Sequence, residues 1–372
     1  FYDGPLDSLL LRPAAALDLI YDDNLFRQAQ DERSDQIFVL APELVLETDW
    51  LNHQITARAG ASIGRHVDLN AEDYEDYFLS LSPLIDVDEN TTLSLDFGYS
   101  STHSERGSTD TLLEGPEPAI DDILKFSANW VYQSDKYSAR LLYEFSQDDA
   151  LDNGLIERDF LDNSSQVLVF RQGYDFTTGT TGWIQPGLEW IDYRLSRDDS
   201  GLVRDNQGWT LLAGVTINRT AVSFLELGLG AMSRSFEQTG QDDFFGFAYV
   251  GRLLWNITPL VTLDISAGRS ARVVQSTTGR IAVDDEVTLE LAWDPLENLI
   301  FQAAVSFTRS DYETLPGQAR TEDLVEANLN MRYLLNENMY LEANYDFGNL
   351  SSNLIGDDYE SNLLSIRAGV EL

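Results

Sequence analysis

The chain has 372 residues, 43% of them hydrophobic, with 63 acidic residues against 24 basic ones and a formal net charge of −39. A field that electronegative excludes nucleic acid and bare polyanions as partners. Cysteine is absent, which removes disulfides, thiol catalysis and cysteine-based metal sites, and no apolar run approaches the ~18 residues a transmembrane helix needs.

Taken in chain order, the alternation of apolar and polar residues and the turn signals between them predict about eighteen strands. They centre on residues 11–24, 35–48, 52–65, 75–88, 91–103, 121–134, 136–148, 164–176 and 180–194 in the first half. The second half supplies 207–218, 221–235, 243–256, 260–272, 284–294, 298–311, 322–335, 338–349 and 360–372. Alternation is clearest there: Val261, Leu263, Ile265 and Ala267 interleave with Thr262, Asp264, Ser266 and Gly268. Val287, Leu289, Leu291 and Trp293, and then Met339, Leu341, Ala343, Tyr345 and Phe347, repeat the pattern. A period of two gives each strand one greasy face and one wet face. A sandwich would bury both inner faces dry, yet here the second face carries carboxylates on strand after strand. A closed barrel in lipid satisfies every backbone group with grease outside and water inside. The predicted fold is therefore all-β, a transmembrane antiparallel up-and-down outer-membrane β-barrel over 11–372, preceded by a short periplasmic segment, 1–10. With no secretory leader visible at Phe1, the sequence reads as a mature chain.

Connections alternate short and long. The short ones are Asp49–Leu51, Glu89-Asn90, Asp135, Thr177–Gly179, Asn218–Thr220, Thr258-Pro259, Pro295–Glu297 and Asn336-Glu337, with longer charged loops between them. Outer-membrane barrels have short periplasmic turns and long extracellular loops, which puts both termini on the periplasmic side and requires an even strand number. Pro42, Pro83 and Pro186 fall inside predicted strands. Proline cannot donate to a ladder, so bulges or locally broken pairing are expected at these positions.

With the greasy face assigned to lipid, Arg58, Asp96, Lys125, Arg140, Glu144, Arg171, Glu226, Arg252, Asp264, Glu290, Glu326, Arg332, Glu342, Asp346 and Arg367 are expected to line the lumen, together with Arg269. Such ladders can pair across strands and hold the wall. They can also set up a transverse field that aligns polar solutes. Trp130, Trp255 and Trp293 precede short turns and Trp183 follows one, while Trp190 and Trp209 lie beside a long loop. That placement predicts two aromatic girdles at the membrane interfaces.

The longest loop, 104–120, carries Gly107, Gly115, Pro116, Pro118 and the apolar pair Leu112-Leu113. It is either a surface loop or a segment folded into the channel. Acid runs such as Asp22-Asp23, Asp31-Glu32, Asp148-Asp149, Asp198-Asp199, Asp284-Asp285-Glu286 and Asp357-Asp358 read as solvated connections. Their sharper reading is loosely bound Ca2+ at extracellular loops, bridging to glycans. No cofactor motif is present. Catalysis is not expected: the histidines are His53, His66 and His103, and neither G-x-S-x-G, H-E-x-x-H nor Walker A occurs.

The segments "RPAAALDLIYDDNLFR", "SDQIFVLAPELVLETDW" and "RDFLDNSSQVLVFRQGYDFT" resemble a second family of β-barrel porins from Gram-negative outer membranes. "LLWNITPLVTLDISAGRSA", "YLLNENMYLEANYDFGNLSSN" and "YESNLLSIRAGVEL" extend that resemblance over nearly the whole chain. The Tyr-Asp-Asp-Asn start and Ala-Pro-Glu-Leu are its specific pieces; the rest is barrel texture. The resemblance implies an outer-membrane portal for exopolysaccharide, partnered by a periplasmic polysaccharide export protein. It carries over no catalytic residues. The chain departs from many outer-membrane barrels in ending on Leu372 rather than an aromatic residue. The expected function is thus a passive channel embedded in outer-membrane lipid, for polysaccharide or, alternatively, for small polar solutes as a diffusion porin. A structural or adhesive barrel with cation- or glycan-binding acidic loops is the third reading.

Overall fold

The protein is described by a computed structural model, which covers residues 9–48, 50, 53–104, 106, 115, 117–152, 157–197, 201, 203–220, 222–237, 243–274, 279–314, 320–354 and 356–372. Residues 1–8 of the expected segment 1–10 and most of the 104–120 loop lie outside the described residues, while Leu9 and Leu10 already belong to the first strand.

Eighteen strands form one closed antiparallel sheet, each paired with its neighbours in the chain, and the last returns to the first. They are β1 (Leu9–Asp22), β2 (Asp35–Thr48), β3 (His53–His66), β4 (Tyr74–Asp88), β5 (Thr91–His103), β6 (Ile120–Gln133), β7 (Tyr137–Ala150), β8 (Asn163–Thr177) and β9 (Thr180–Tyr193). Then follow β10 (Asn206–Thr220), β11 (Ser223–Phe236), β12 (Phe244–Thr258), β13 (Val261–Val273), β14 (Gly279–Leu296), β15 (Leu299–Thr314), β16 (Arg320–Leu334), β17 (Met339–Ser352) and β18 (Tyr359–Glu371). Closure leaves no sheet edge, so backbone groups are satisfied within the wall, as hydrocarbon requires. Large apolar side chains stand exposed on the outer face, among them Leu17, Leu79, Leu229, Phe245, Leu289, Leu329 and Ile366. In water such a surface would aggregate; in a bilayer it is the solvated face.

Two acid runs expected in connections belong to strands instead: Asp148 and Asp149 lie in β7, and Asp284, Asp285 and Glu286 lie in β14. β14 begins at Gly279 and not at residue 284. Alternation explains how a strand tolerates the second run. Asp284 turns to one face, where it accepts from Arg272 Nε at 2.7 Å and Ser310 Oγ at 2.6 Å. Asp285 turns to the other and accepts from Arg269 Nη2 at 2.7 Å and Tyr249 Oη at 3.0 Å.

The prolines break pairing locally without bulges. Beside Pro42 the β2–β3 ladder steps from Leu40–Ile63 to Glu43–Gly60. Beside Pro83 the β4–β5 ladder steps from Leu81–Phe97 to Leu84–Ser94, and beside Pro186 the β8–β9 ladder steps from Val169–Gly187 to Gln172–Ile184. In each case the register on either side is the same. A missing N–H costs a ladder bond but inserts no residue, so every side chain keeps its face.

At the end of the barrel that carries the long connections the loops interlock. Arg106 donates from Nε and Nη2 to Glu72 at 2.7 and 2.8 Å, from Nη1 to the Gly115 carbonyl at 2.7 Å, and lies over the Phe26 ring. Asp162, in the β7–β8 loop, accepts from the Ala150 N–H and from Arg194. Burial nevertheless pushes its carboxyl above the ordinary range, outweighing those two contacts.

Candidate functional site

Which face looks inward follows from register, because directly paired residues share a face. Asp18 is 6% exposed and its carboxylate takes Arg367 Nε and Nη2 at 2.6 and 2.9 Å across the β1–β18 seam. One row runs Arg332–Glu342–Arg367–Asp18. A second runs Glu326–Ser306–Thr288–Ser266–Arg252–Glu226–Thr216, and a third runs Asp264–Glu290–Ala304–Asn328–Asp346. All share the inner face. On the remaining strands Arg58, Asp96, Lys125, Arg140, Glu144 and Arg171 are brought to the same face by pairing.

Many of these charges are held by neighbours. Arg58 Nε donates to Glu43 at 2.7 Å, and Arg252 Nη2 donates to Asp264 at 2.6 Å. Arg332 Nη2 donates to Glu371 at 2.7 Å, with its guanidinium 3.7 Å from the centre of the Tyr340 ring. Asn328 donates to Asn344 at 2.8 Å and to Asp346 at 2.5 Å, and Asn330 donates to Glu342 at 3.0 Å. Arg140 Nε donates to the neutral Asn129 at 2.7 Å. Glu326 accepts from Ser306 at 3.2 Å and Asp96 from Ser127 at 3.1 Å. The wall thus presents carboxylates, carboxamides and hydroxyls with a minority of guanidinium groups.

Two expectations are corrected. Arg269 lies on the outer face with Ala267 and Ile265, since no bulge interrupts β13 between them. It sits toward the extracellular end of that strand, paired with Asp285. Trp183 was expected in the girdle and instead faces inward, 6% exposed, directly paired with Gly214. Its ring lies over Gly214 and Gly228, where an added Cβ would come within 2.4 Å of indole carbons. The other tryptophans expected in the girdles, Trp130, Trp190, Trp209, Trp255 and Trp293, lie on the outer face; Trp130 is paired with Leu93, Trp209 with Leu188, Trp255 with Leu263 and Trp293 with Val261. Trp293 stacks on Phe301 at 5.4 Å between centroids.

Around Trp183 the wall folds into a corner. Leu212, Met232, Phe244 and Ala248 bury one another with it. At Gly230 an added Cβ would lie 1.8 Å from the Leu211 carbonyl oxygen. Only a residue without Cβ allows the two backbones that approach. Two ion pairs cross the corner: Arg171 on β8 with Glu226 on β11 at 2.9 Å, and Arg234 on β11 with Glu189 on β9. A cavity of about 290 Å³ opens at the second pair, lined in part by Glu189, Arg234, Val167, Leu212, Met232 and Ala248. Sequence reasoning missed Glu189, Arg234 and Thr216. Position parity was the available signal, because all three share the parity of an inward neighbour on their own strand.

The histidines do not converge on a nucleophile. His103 Nδ1 contacts Asp76 at 2.9 Å and its ring stacks on Tyr74 at 3.8 Å. His66 is buried beside Asp73, 3.7 Å away. Among the described residues, no group of three or more His, Asp or Glu side chains is arranged to hold a metal.

A closed antiparallel barrel with an apolar outer belt and a charged inner wall defines an outer-membrane β-barrel channel of the Gram-negative type. The family model described as "Putative beta-barrel porin 2" matches residues 6–372, and the chain belongs to that family. Its fold is similar to that of Pseudomonas aeruginosa OccK3 (OpdO), with a TM-score of 0.51, 13% identity, and 99% of this chain and 98% of that one covered. Pseudomonas aeruginosa OccK5 (OpdH) gives a TM-score of 0.51 at 11% identity, covering 99% of both chains. Acinetobacter baumannii OccAB4 gives 0.50 at 12% identity, covering 99% of this chain and all of that one (100%). No curated protein matches the sequence.

Proposed function

We propose that this porin is a passive aqueous conduit for polyhydroxylated cargo that is neutral or cationic, and that the cargo is a saccharide chain leaving the periplasm. The observation that carries the reading is the wall of β16 and β17, where Glu326, Asn328, Asn330, Glu342, Asn344 and Asp346 set donors and acceptors side by side on two adjacent strands. Groups already bonded to one another exchange readily with passing hydroxyls, so such a wall orients a polyol without trapping it. The acid excess disfavours polyanionic polymers unless salt screens it. A periplasmic export protein, implied by the family resemblance, would dock on the short turns near Asn90, Asp135, Asn218, Pro259, Pro295 and Asn336. One observation favours a second reading, uptake of small solutes. The Arg171–Glu226 and Arg234–Glu189 bridges cut across the lumen wall, and a narrowed bore suits a monomeric solute better than a polymer.

The test is a clean deletion of the gene combined with liposome swelling by neutral sugars of increasing size. Export predicts loss of surface polysaccharide, unchanged growth on small nutrients, and swelling by oligosaccharides. An intact coat with slowed growth on one solute would remove export and leave the uptake channel.

A further inference from the structure

Arg140 on β7 and Arg171 on β8 are a direct register pair on the inner face. Two guanidinium groups at opposed positions repel unless they part. Here they splay in opposite directions. Arg140 turns toward β6 and donates to Asn129. Arg171 turns toward β9–β11: its Nε donates to Gln185 Oε1 at 2.7 Å, and Nη1 and Nη2 donate to Glu226 Oε2 and Oε1 at 2.9 Å each. Its guanidinium lies 4.1 Å from the centre of the Trp183 ring. The indole is itself tied down, since Nε1 donates to Thr216 Oγ1 at 3.0 Å and that hydroxyl donates to Glu226 Oε2 at 3.0 Å. Four side chains on four successive strands therefore close a circuit, seated on the glycines beneath the indole.

We propose that Trp183 is a positioning residue for charge selectivity: by holding Arg171 against Glu226 it withdraws one of two facing arginines from the lumen and leaves Arg140 as the exposed guanidinium of that pair. All three nitrogens of the Arg171 guanidinium donate, to Gln185 or to Glu226, and its charge is matched by one carboxylate, so the braced group offers a passing anion little. Arg140 is exposed, and its bonded partner carries no charge. Releasing Arg171 would bring a second guanidinium beside Arg140 and tilt the local field toward anions, although no charge in the chain had changed. Lysine could not replace Arg171, because a point charge cannot stack and fork at once.

The proposal rests on the barrel being a conducting channel, and the experiment separates the two. Purified full-length protein and variants are recorded in planar bilayers across a KCl gradient, with heat-modifiable mobility as the check on folding. Trp183→Leu, an uncharged exchange, is expected to move the potassium-to-chloride permeability ratio toward chloride by about twofold or more. Trp183→Phe keeps the stack, loses the N–H to Thr216, and is expected to shift less. Glu226→Gln is expected to shift further than Glu326→Gln, which removes the same charge from the same register row without touching the circuit. A folded Trp183→Leu barrel with the wild-type reversal potential would overturn the proposal. Should that variant not fold, equal shifts for the two glutamate exchanges would overturn it. A silent wild type would sink the channel reading itself.

Discussion

Along β13–β18 the inner face is a wet ladder, in which Asp264, Glu290, Asn328 and Asp346 follow one another through the register while Leu289, Leu329 and Ile366 face out. Along β8–β12 the same alternation holds, yet the inner face carries Trp183, Leu212, Met232 and Ala248, buried in a corner crossed by two ion pairs. The first region takes its shape from the contrast between lipid and water. The second takes its shape from glycines that let strands bend sharply and from side chains that fill the bend. Period-two patterning thus decides which face a residue occupies, while local backbone bulk decides whether that face stays hydrated.

Four experiments break or sharpen this comparison. The largest effect is expected on the regular arc: Leu289→Arg, outward on β14, should cost ~2–4 kcal/mol near the bilayer midplane, against far less for inward Thr288→Arg. Reversible unfolding in lipid vesicles measures both, and equal costs would remove the assignment of faces. Next, Arg367→Gln strips the seam carboxylate Asp18 of its partner; with Arg367 itself partly exposed, the expected loss is about 1–3 kcal/mol by the same titration. Third, Gly230→Ala forces the corner apart and should cost about 1–3 kcal/mol. Gly268→Ala meets its nearest atom only at 3.8 Å and should stay within about 0.5 kcal/mol of wild type. The smallest effect is electrical: the cation preference of the open pore should fade as salt rises from about 0.1 M to about 1 M, because the screening length shrinks from ~10 to ~3 Å. A preference independent of salt would point to the paired corner, not the exposed ladder, as its source.

Most of the fold was legible because lipid tolerates so little. Each of the eighteen strands was found from alternation, and Val261 to Ala267 or Met339 to Phe347 leave no second register. Boundaries slipped where chemistry mimicked a loop, as at Asp284-Asp285-Glu286, whose partners Arg272 and Arg269 arrive from another strand and on opposite faces. Trp183 sits near a turn, as a girdle residue would, yet its parity turns it inward. Ile184 and Leu188, one step and five steps on, are the exposed apolar residues of β9. Arg269 is the converse case: its charge suggests the lumen, whereas strict alternation after Ala267 puts it outside. The Arg171–Glu226 contact, 55 residues apart in the chain, depends on curvature, which no local window of sequence encodes.

The β1–β18 seam has one more consequence. It is the join between chain positions almost a full length apart, running from Ala14–Glu371 to Asp22–Leu363 with Asp18 and Arg367 in its middle. The other neighbouring strands meet through a single turn or loop and can zip as soon as both have been made. Here the two ends must wait for everything between them, so a half-built wall has two unsatisfied rims and no way to enter hydrocarbon unaided. Asp18 and Arg367 therefore meet only when the wall closes.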